Sequence, residues 1–264
     1  MASCFTHAAG RPDRTIGRRC TLPRGEAHVW FASLRVPDGA LGELDLTLSA
    51  GERMRADRLR RSNDRARFIA AHGIARTILS RYEGVEPRAV PLEPDRGGRP
   101  ILVRPAGETP LRFSMSHAGN AALFGVAGDR EIGVDIELID PRGLDERASR
   151  RILSAGERAA LDAMPPAART DALFRWWTLK EALLKARGTG LATPPSTIDL
   201  STVSLDARKT LTLRTGDGGT WTLAAIPAPP GCAAAAACRG SGCRFTCRLF
   251  EDLSAESAAA EISL

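Results

Sequence analysis

A chain of 264 residues, 43% hydrophobic and 26% charged, carries enough apolar material for one large core or two small ones. No apolar run reaches bilayer-spanning length, and the alanine run at 233–237 is far too short for one. The formal charge of +6 favours anionic partners without naming them.

Residues 1–27 are arginine-rich and lack the apolar stretch of a secretory signal, so they read as a loose tail. The pattern at 28–36 predicts a first strand, closed by Pro37-Asp-Gly39. A helical region from Ser49 or Ala50 to about Arg61 carries Arg53, Arg55, Arg58, Arg60 and Arg61. A longer helix over 62–82 follows, with Ser62 or Asn63 as N-cap and Phe68, Ile69, Ile74, Ile78 and Leu79 at helical spacing.

Pro94-Asp-Arg-Gly-Gly-Arg-Pro100 predicts a tight turn into a short strand at 100–103. Strands follow over 111–117, 121–126 and 132–138. Helices are predicted at 144–152, 154–163 and 171–186. The second opens with the capping box Ser154-Ala-Gly-Glu157, and the third stops at Arg187-Gly-Thr-Gly190. Short strands at 198–205, 209–214, 220–226, 231–238 and 244–250 complete the chain, and 253–264 reads as a mobile tail. Cys4, Cys20, Cys232, Cys238, Cys243 and Cys247 include no Cys-x-x-Cys pair, and no histidine lies near the last four. Those four are read as packing residues in or near strands rather than zinc ligands, in a protein of a reducing compartment.

The chemistry gathers in two stretches. In Gly133-Val-Asp-Ile-Glu137 the strand period sends Asp135 and Glu137 to one face and the aliphatic residues to the other. In Trp177-Thr-Leu-Lys-Glu-Ala-Leu-Leu-Lys185, residues Trp177, Glu181 and Lys185 share one helix face. Three carboxylates and a lysine brought together suit a hard cation such as Mg²⁺ and a phosphate-ester substrate. Ser116-His117, at a strand end, offers a hydroxyl and an imidazole to phosphate. As strand neighbours they point to opposite faces, which disfavours a nucleophilic dyad.

Phe113-Ser-Met-Ser-His117, Gly133-Val-Asp-Ile-Glu137, Trp177 to Lys185 and Gly188-Thr-Gly190, in that order and spacing, resemble the Sfp-type 4′-phosphopantetheinyl transferases over roughly residues 29–200. The resemblance implies an α+β monomer of two similar halves related by a pseudo-twofold axis, each a small antiparallel sheet on helices. The halves would span 28–128 and 129–252, with coenzyme A and Mg²⁺ in the cleft between them. It implies Asp135, Glu137 and Glu181 as metal ligands, Glu181 as the group that takes the serine proton, and Lys185, with Lys180 beside it, at the coenzyme A diphosphate. Ser116 and His117 would hold the 3′-phosphate, and Arg99 would meet a phosphate. Arg55 and Arg67 would lie on the phosphate side, with Arg53 the alternative to Arg55. The partners implied are coenzyme A and acidic acyl or peptidyl carrier proteins, in the cytoplasm, with no membrane and no nucleic acid.

A rival reading from another class is a basic nucleic-acid-binding protein using the arginines between Arg53 and Arg67. An aromatic content of 5% and a single tyrosine argue against a base-stacking surface.

Overall fold

The structure, a computed structural model, describes residues 20–95, 98–103, 111–140, 146–203, 205, 209–250 and 262–263. The chain runs β1 (Glu26–Ser33), α1 (Asp38–Thr47), α2 (Ala50–Asp57), α3 (Ser62–Glu83), β2 (Leu92–Pro94), β3 (Pro100–Leu102), β4 (Arg112–Ala118), β5 (Ala121–Ala127) and β6 (Ile132–Leu138). It continues with α4 (Glu146–Ile152), α5 (Ala155–Ala163), α6 (Pro166–Arg187), β7 (Thr210–Arg214), β8 (Thr220–Ala225), β9 (Cys232–Arg239), β10 (Arg244–Leu249) and β11 (Ile262–Ser263). The class is α+β, as expected.

Two larger sheets carry the fold, in the orders β11-β10-β1-β5-β4 and β6-β9-β8-β7, and β2 and β3 form a separate hairpin. The edge strands β4 and β6 lie side by side. β5 reads Ala-Ala-Leu-Phe-Gly-Val-Ala and is buried throughout, because both of its edges are paired and both of its faces are covered. One long helix packs in each half. α3 lies in a core with Trp30, Ile74 and Phe124, and α6 lies in one with Trp176, Leu183 and Leu223. Both helices span 22 residues, and both end on a glycine with φ of +68°, Gly84 and Gly188. The left-handed conformation there is one that a side chain resists.

A buried ionic anchor recurs in the two halves. Ser49 and Glu52 form a capping box on α2, and Glu52 also accepts from Arg76 Nε of α3 at 2.6 Å. Ser154 and Glu157 form one on α5, and Glu157 is ion-paired with Lys180 of α6. Each carboxylate satisfies the start of a short helix and the charge of a buried base on the long one.

Glycine sets the closest approach of the layers. A Cβ on Gly133 would lie 2.0 Å from Ala182 O and 2.5 Å from Ala186 N, so α6 rests with its backbone on β6. A Cβ on Gly125 would lie 2.7 Å from Val134 Cγ1, so β5 and β6 are pressed together in the same way.

Several sequence expectations are corrected. α1 is an addition to the turn expected at Pro37-Asp-Gly39: Leu41, Leu44 and Leu48 stand at helical spacing and pack into the core, in a segment whose two glycines lower its helix propensity. α2 ends at Asp57, and α3 begins at Ser62 after Arg61, with no side-chain cap. α6 starts at Pro166, whose fixed φ suits a first helical position. Among the described residues of 198–205 there is no strand. Leu200 N donates to Glu157 Oε1, and its carbonyl accepts from Trp176 Nε1, so the backbone is satisfied by side chains instead of a ladder.

The strand β10, expected to close the second half, pairs in parallel with β1 in the first sheet. Residues 20–27 are no loose tail, since Cys20 N donates to Arg81 O and β1 begins at Glu26. At the other end β11 pairs with β10. Residues 1–19, 144–145, 251–261 and 264 of the expected tails and helix lie outside the described residues. Cys232 and Cys238 lie in β9 and Cys247 in β10, with Cys243 just before it, and all four are free thiols.

Gly133→Ala must push α6 away from β6. Overpacking of this kind costs about 1–3 kcal/mol, which a denaturant titration should show as a lowered midpoint at unchanged slope.

Candidate active site

β6 presents Asp135 and Glu137 on the face toward α6, and α6 presents Trp177, Glu181 and Lys185 on the face toward β6. The contact at Gly133 brings the two elements close enough for these side chains to meet. Lys185 Nζ donates to Asp135 Oδ1 at 2.6 Å and to Ser116 Oγ at 2.9 Å. Ser116 Oγ also donates to Asp135 Oδ1 at 2.9 Å. One step along α6, Trp177 Nε1 donates to Glu137 Oε1 at 3.4 Å. Strand β4 therefore supplies the hydroxyl, β6 the carboxylates and α6 the lysine.

Two carboxylate oxygens in this cluster are buried without a hydrogen-bond partner, Asp135 Oδ2 and Glu181 Oε1. An unsatisfied anionic oxygen is costly away from water, and a hard cation is the ligand such oxygens suit. The donor set fits a small divalent ion held by a few protein oxygens plus water and substrate. Among the described residues, no three acidic, histidine or cysteine side chains stand close enough to enclose an ion as they lie. Lys185 holds one oxygen of Asp135 and Trp177 donates to one oxygen of Glu137, so each of the three carboxylates still has an oxygen to offer.

The electrostatics follow from burial. Desolvation, then the Asp135 charge, raises Glu181 from 4.5 to about 6, against the opposing pull of Lys185. Desolvation and Asp135 also raise Glu137, against the hydrogen bond from Trp177. His117 is held below the ordinary imidazole value by desolvation, and then by the charges of His72, Lys185 and Arg67. A histidine ringed by cations marks a place where an anion is favoured.

Ser116 and His117 are separated by the strand pleat. Ser116 belongs with the carboxylates and Lys185, whereas His117 lies on the other face of β4, within electrostatic reach of Arg67 and His72. Arg67 Nε donates to Asn120 Oδ1 at 3.1 Å, and its terminal nitrogen approaches Asp64. Arg55 is exposed and its guanidinium reaches the Gly98 carbonyl at 3.3 Å. Its neighbour Arg53 turns back to the Leu46 and Leu48 carbonyls.

Arg99 lines the cavity beside Lys185. It is held by Asp95 and donates to the main-chain oxygen of Lys185 at 3.0 Å, linking the β2–β3 turn to the end of α6. Arg96 and Gly97 of that turn lie outside the described residues. Lys180 departs from the expectation. It follows the motif in sequence, but its ammonium is fully buried on Glu157 and on the Ile152 carbonyl. Neighbouring residues on a helix point about 100° apart, so Lys180 and Glu181 cannot share a face. Lys180 is a core anchor.

A cavity of about 570 Å³ opens beside Lys185, bounded by Arg99 and Phe113 on one side and by Thr189, Trp221 and Arg239 on the other. The size is that of a small-molecule site. Two residues that sequence reasoning passed over, Glu52 and His72, stand behind the Arg55 side of the site. Their spacing to Arg76 and Phe68 was the available signal.

The raised Glu181 value has a consequence for stability. The folded chain binds this proton more tightly than the unfolded one, so the contribution is full below about 4.5 and is lost as pH rises through about 6. In metal-free buffer at neutral pH, Glu181→Gln should therefore stabilise the fold by about 1–2 kcal/mol. The gain, measured by chemical denaturation, should vanish below about pH 4.5.

Residues 131–237 match the 4′-phosphopantetheinyl transferase superfamily. The 4′-phosphopantetheinyl transferase HetI of Nostoc sp. is 36% identical over 222 residues, covering 84% of this chain and 91% of that protein. The 4′-phosphopantetheinyl transferase AcpT of Escherichia coli K12 is 39% identical over 34% of this chain and 45% of its own length. The 4′-phosphopantetheinyl transferase of Bacillus subtilis is 29% identical over 56% of this chain and 63% of its own. With the HetI likeness running almost end to end, and the strand–helix site lying within the matched region, the chain belongs to the 4′-phosphopantetheinyl transferase superfamily and is a transferase.

Proposed function

We propose that the protein transfers the 4′-phosphopantetheine group from coenzyme A to a serine hydroxyl of an acidic acyl or peptidyl carrier protein, with Mg²⁺, and releases 3′,5′-ADP. The observation that carries this reading is the pair of buried, unpartnered oxygens on Asp135 and Glu181 beside the Lys185 ammonium.

Asp135 and Glu181 would hold the metal, with Glu137 joining them by turning from Trp177. When bound, Mg²⁺ supplies positive charge to the diphosphate oxygens. In the reaction the carrier serine oxygen forms a bond to the β-phosphorus, and the bond from that phosphorus to the bridging oxygen breaks. The electron pair leaves with 3′,5′-ADP. The serine proton goes to Glu181, directly or through a bound water. Lys185 would offset the charge that builds on the 5′-phosphate of the departing 3′,5′-ADP, with Ser116 orienting the ammonium.

His117, Arg67 and Arg55 would receive the 3′-phosphate on the far side of β4. Arg99 would act through the Lys185 main chain, and the cavity beside Lys185 would take part of coenzyme A. The net charge of +6 favours encounter with an acidic carrier. No helix among the described residues is long and apolar enough to cross a membrane. The free cysteines at 232, 238, 243 and 247 suit a reducing compartment such as the cytoplasm. The nucleic-acid reading has less support, because an aromatic content of 5% and a single tyrosine offer little surface for base stacking.

Incubation with coenzyme A, Mg²⁺ and apo carrier proteins of fatty-acid, polyketide and nonribosomal-peptide type should add one phosphopantetheine mass to at least one of them. If every carrier keeps its mass, the reading is wrong. Asp135→Ala and Glu181→Ala should each lower the rate by about a hundredfold or more. At limiting metal, the rate should fall as pH drops through about 6, where the Glu181 carboxylate takes up its proton.

The second test reads His117 directly. A phosphate dianion beside the ring favours the imidazolium, so 3′,5′-ADP should raise its value in an NMR titration. A value unmoved by saturating 3′,5′-ADP removes His117 from the phosphate site.

A further inference from the structure

Behind the exposed Arg55 lies a stack that no step of the reaction uses. His72 is 8% exposed on α3, and its Nδ1 lies 3.1 Å from Glu52 Oε1. Phe68, one turn earlier on the same helix face, stacks on the His72 ring with centroids 4.0 Å apart and planes 23° apart. The Arg55 guanidinium lies over the other end of this stack, 6.0 Å from the Phe68 ring centre. From there it reaches the carbonyl of Gly98, whose neighbour Arg99 lines the cavity beside Lys185.

Glu52 completes the frame. Its second oxygen accepts from Ser49 N and Arg76 Nε, so the same carboxylate fixes α2, which bears Arg55, and His72, which supports the surface under Arg55. The two ends of the Arg55 side chain are thus referred to one buried group. Arg76 would still hold Glu52 and the carbonyls of Pro87 and Val90 without the imidazole, so His72 is dispensable to the anchor itself. A long arginine left unsupported in water loses side-chain entropy each time it orders on an anion, and a supported one has already lost it.

We propose that His72 is a positioning residue that, clamped by Glu52 and stacked under Phe68, holds the Arg55 guanidinium over the anion side of the cleft for the phosphate of the incoming substrate. This rests on the phosphate role given to Arg55 above.

The test compares Michaelis constants for coenzyme A with turnover numbers in Arg55→Ala, His72→Ala, His72→Gln and the double variant Arg55→Ala/His72→Ala. Loss of a charge-assisted phosphate contact should raise the Michaelis constant in Arg55→Ala by about tenfold or more. His72→Ala should raise it by about three- to tenfold, with turnover within about twofold of the parent. His72→Gln keeps a donor for Glu52 and a flat group under Phe68, and should recover most of the loss. The double variant should match Arg55→Ala alone, because an absent guanidinium needs no support.

If Arg55→Ala leaves the Michaelis constant unchanged, the phosphate role of Arg55 falls and this proposal with it. If Arg55→Ala raises it and His72→Ala does not, only the positioning claim falls. Additive effects in the double variant overturn the claim too. So does a His72→Ala protein that loses turnover and thermal midpoint together, which marks a merely structural histidine.

Discussion

The contact between Gly133 and the backbone of α6 decides where everything else in the site can stand. A hydrogen at that position lets Ala182 and Ala186 lie directly on the strand. With any side chain there, the helix would ride outward, and Glu181 and Lys185 would be carried from Asp135 by the same distance. A displacement of the order of 1 Å is enough to cost a catalytic arrangement about a hundredfold. The glycine that opens the carboxylate motif is thus part of the chemistry through what it lacks. Gly125 on β5 does the same for the layer beneath, so β6 is pressed from both faces and its two acids have little freedom to drift.

Tight packing has an electrostatic price. Asp135 is almost wholly buried, and Glu181 and Glu137 feel both the loss of water and its charge. In the metal-free chain this repulsion is relieved in part by Lys185, which sits on Asp135, and by Trp177, which draws Glu137 aside. What these two donors leave unanswered are the buried oxygens Asp135 Oδ2 and Glu181 Oε1.

How much of this could be read from residues alone depends on whether a feature is local. The alternation in Ile132–Leu138 and the four-residue spacing from Trp177 to Lys185 state which side chains share a face, and both elements form as expected. The glycine stop after α6 and the box at Ser154 are equally local. Spacing says nothing of what each face meets. Lys180 looked as available as Lys185 until the structure placed Glu157 against it, and Arg99 looked free until the end of α6 came within reach. Strand β10 could not be assigned to the first sheet from its own pattern, because its parallel pairing with β1 joins residues as far apart in the chain as Glu26 and Arg244. Helix α1 carries Leu41, Leu44 and Leu48 at helical spacing, but its two glycines and its place just after a turn masked that signal.

The twin anchors at Glu52–Arg76 and Glu157–Lys180 allow the two long helices to be laid over one another. In that superposition Thr77 follows Arg76 as Glu181 follows Lys180, and Arg81 falls where Lys185 does. The first helix therefore has a hydroxyl in place of the acid, and its cation lies over Trp30 and Phe250 instead of reaching a carboxylate. The anchored long helix thus recurs in both parts of the chain, whereas the carboxylate and lysine face occurs on α6 alone. On the proposed function, α6 would hold the ion, and the α3 side, freed from that duty, would offer its arginines and histidines to the substrate's remaining charge. That asymmetry would give the substrate a single direction in which to lie.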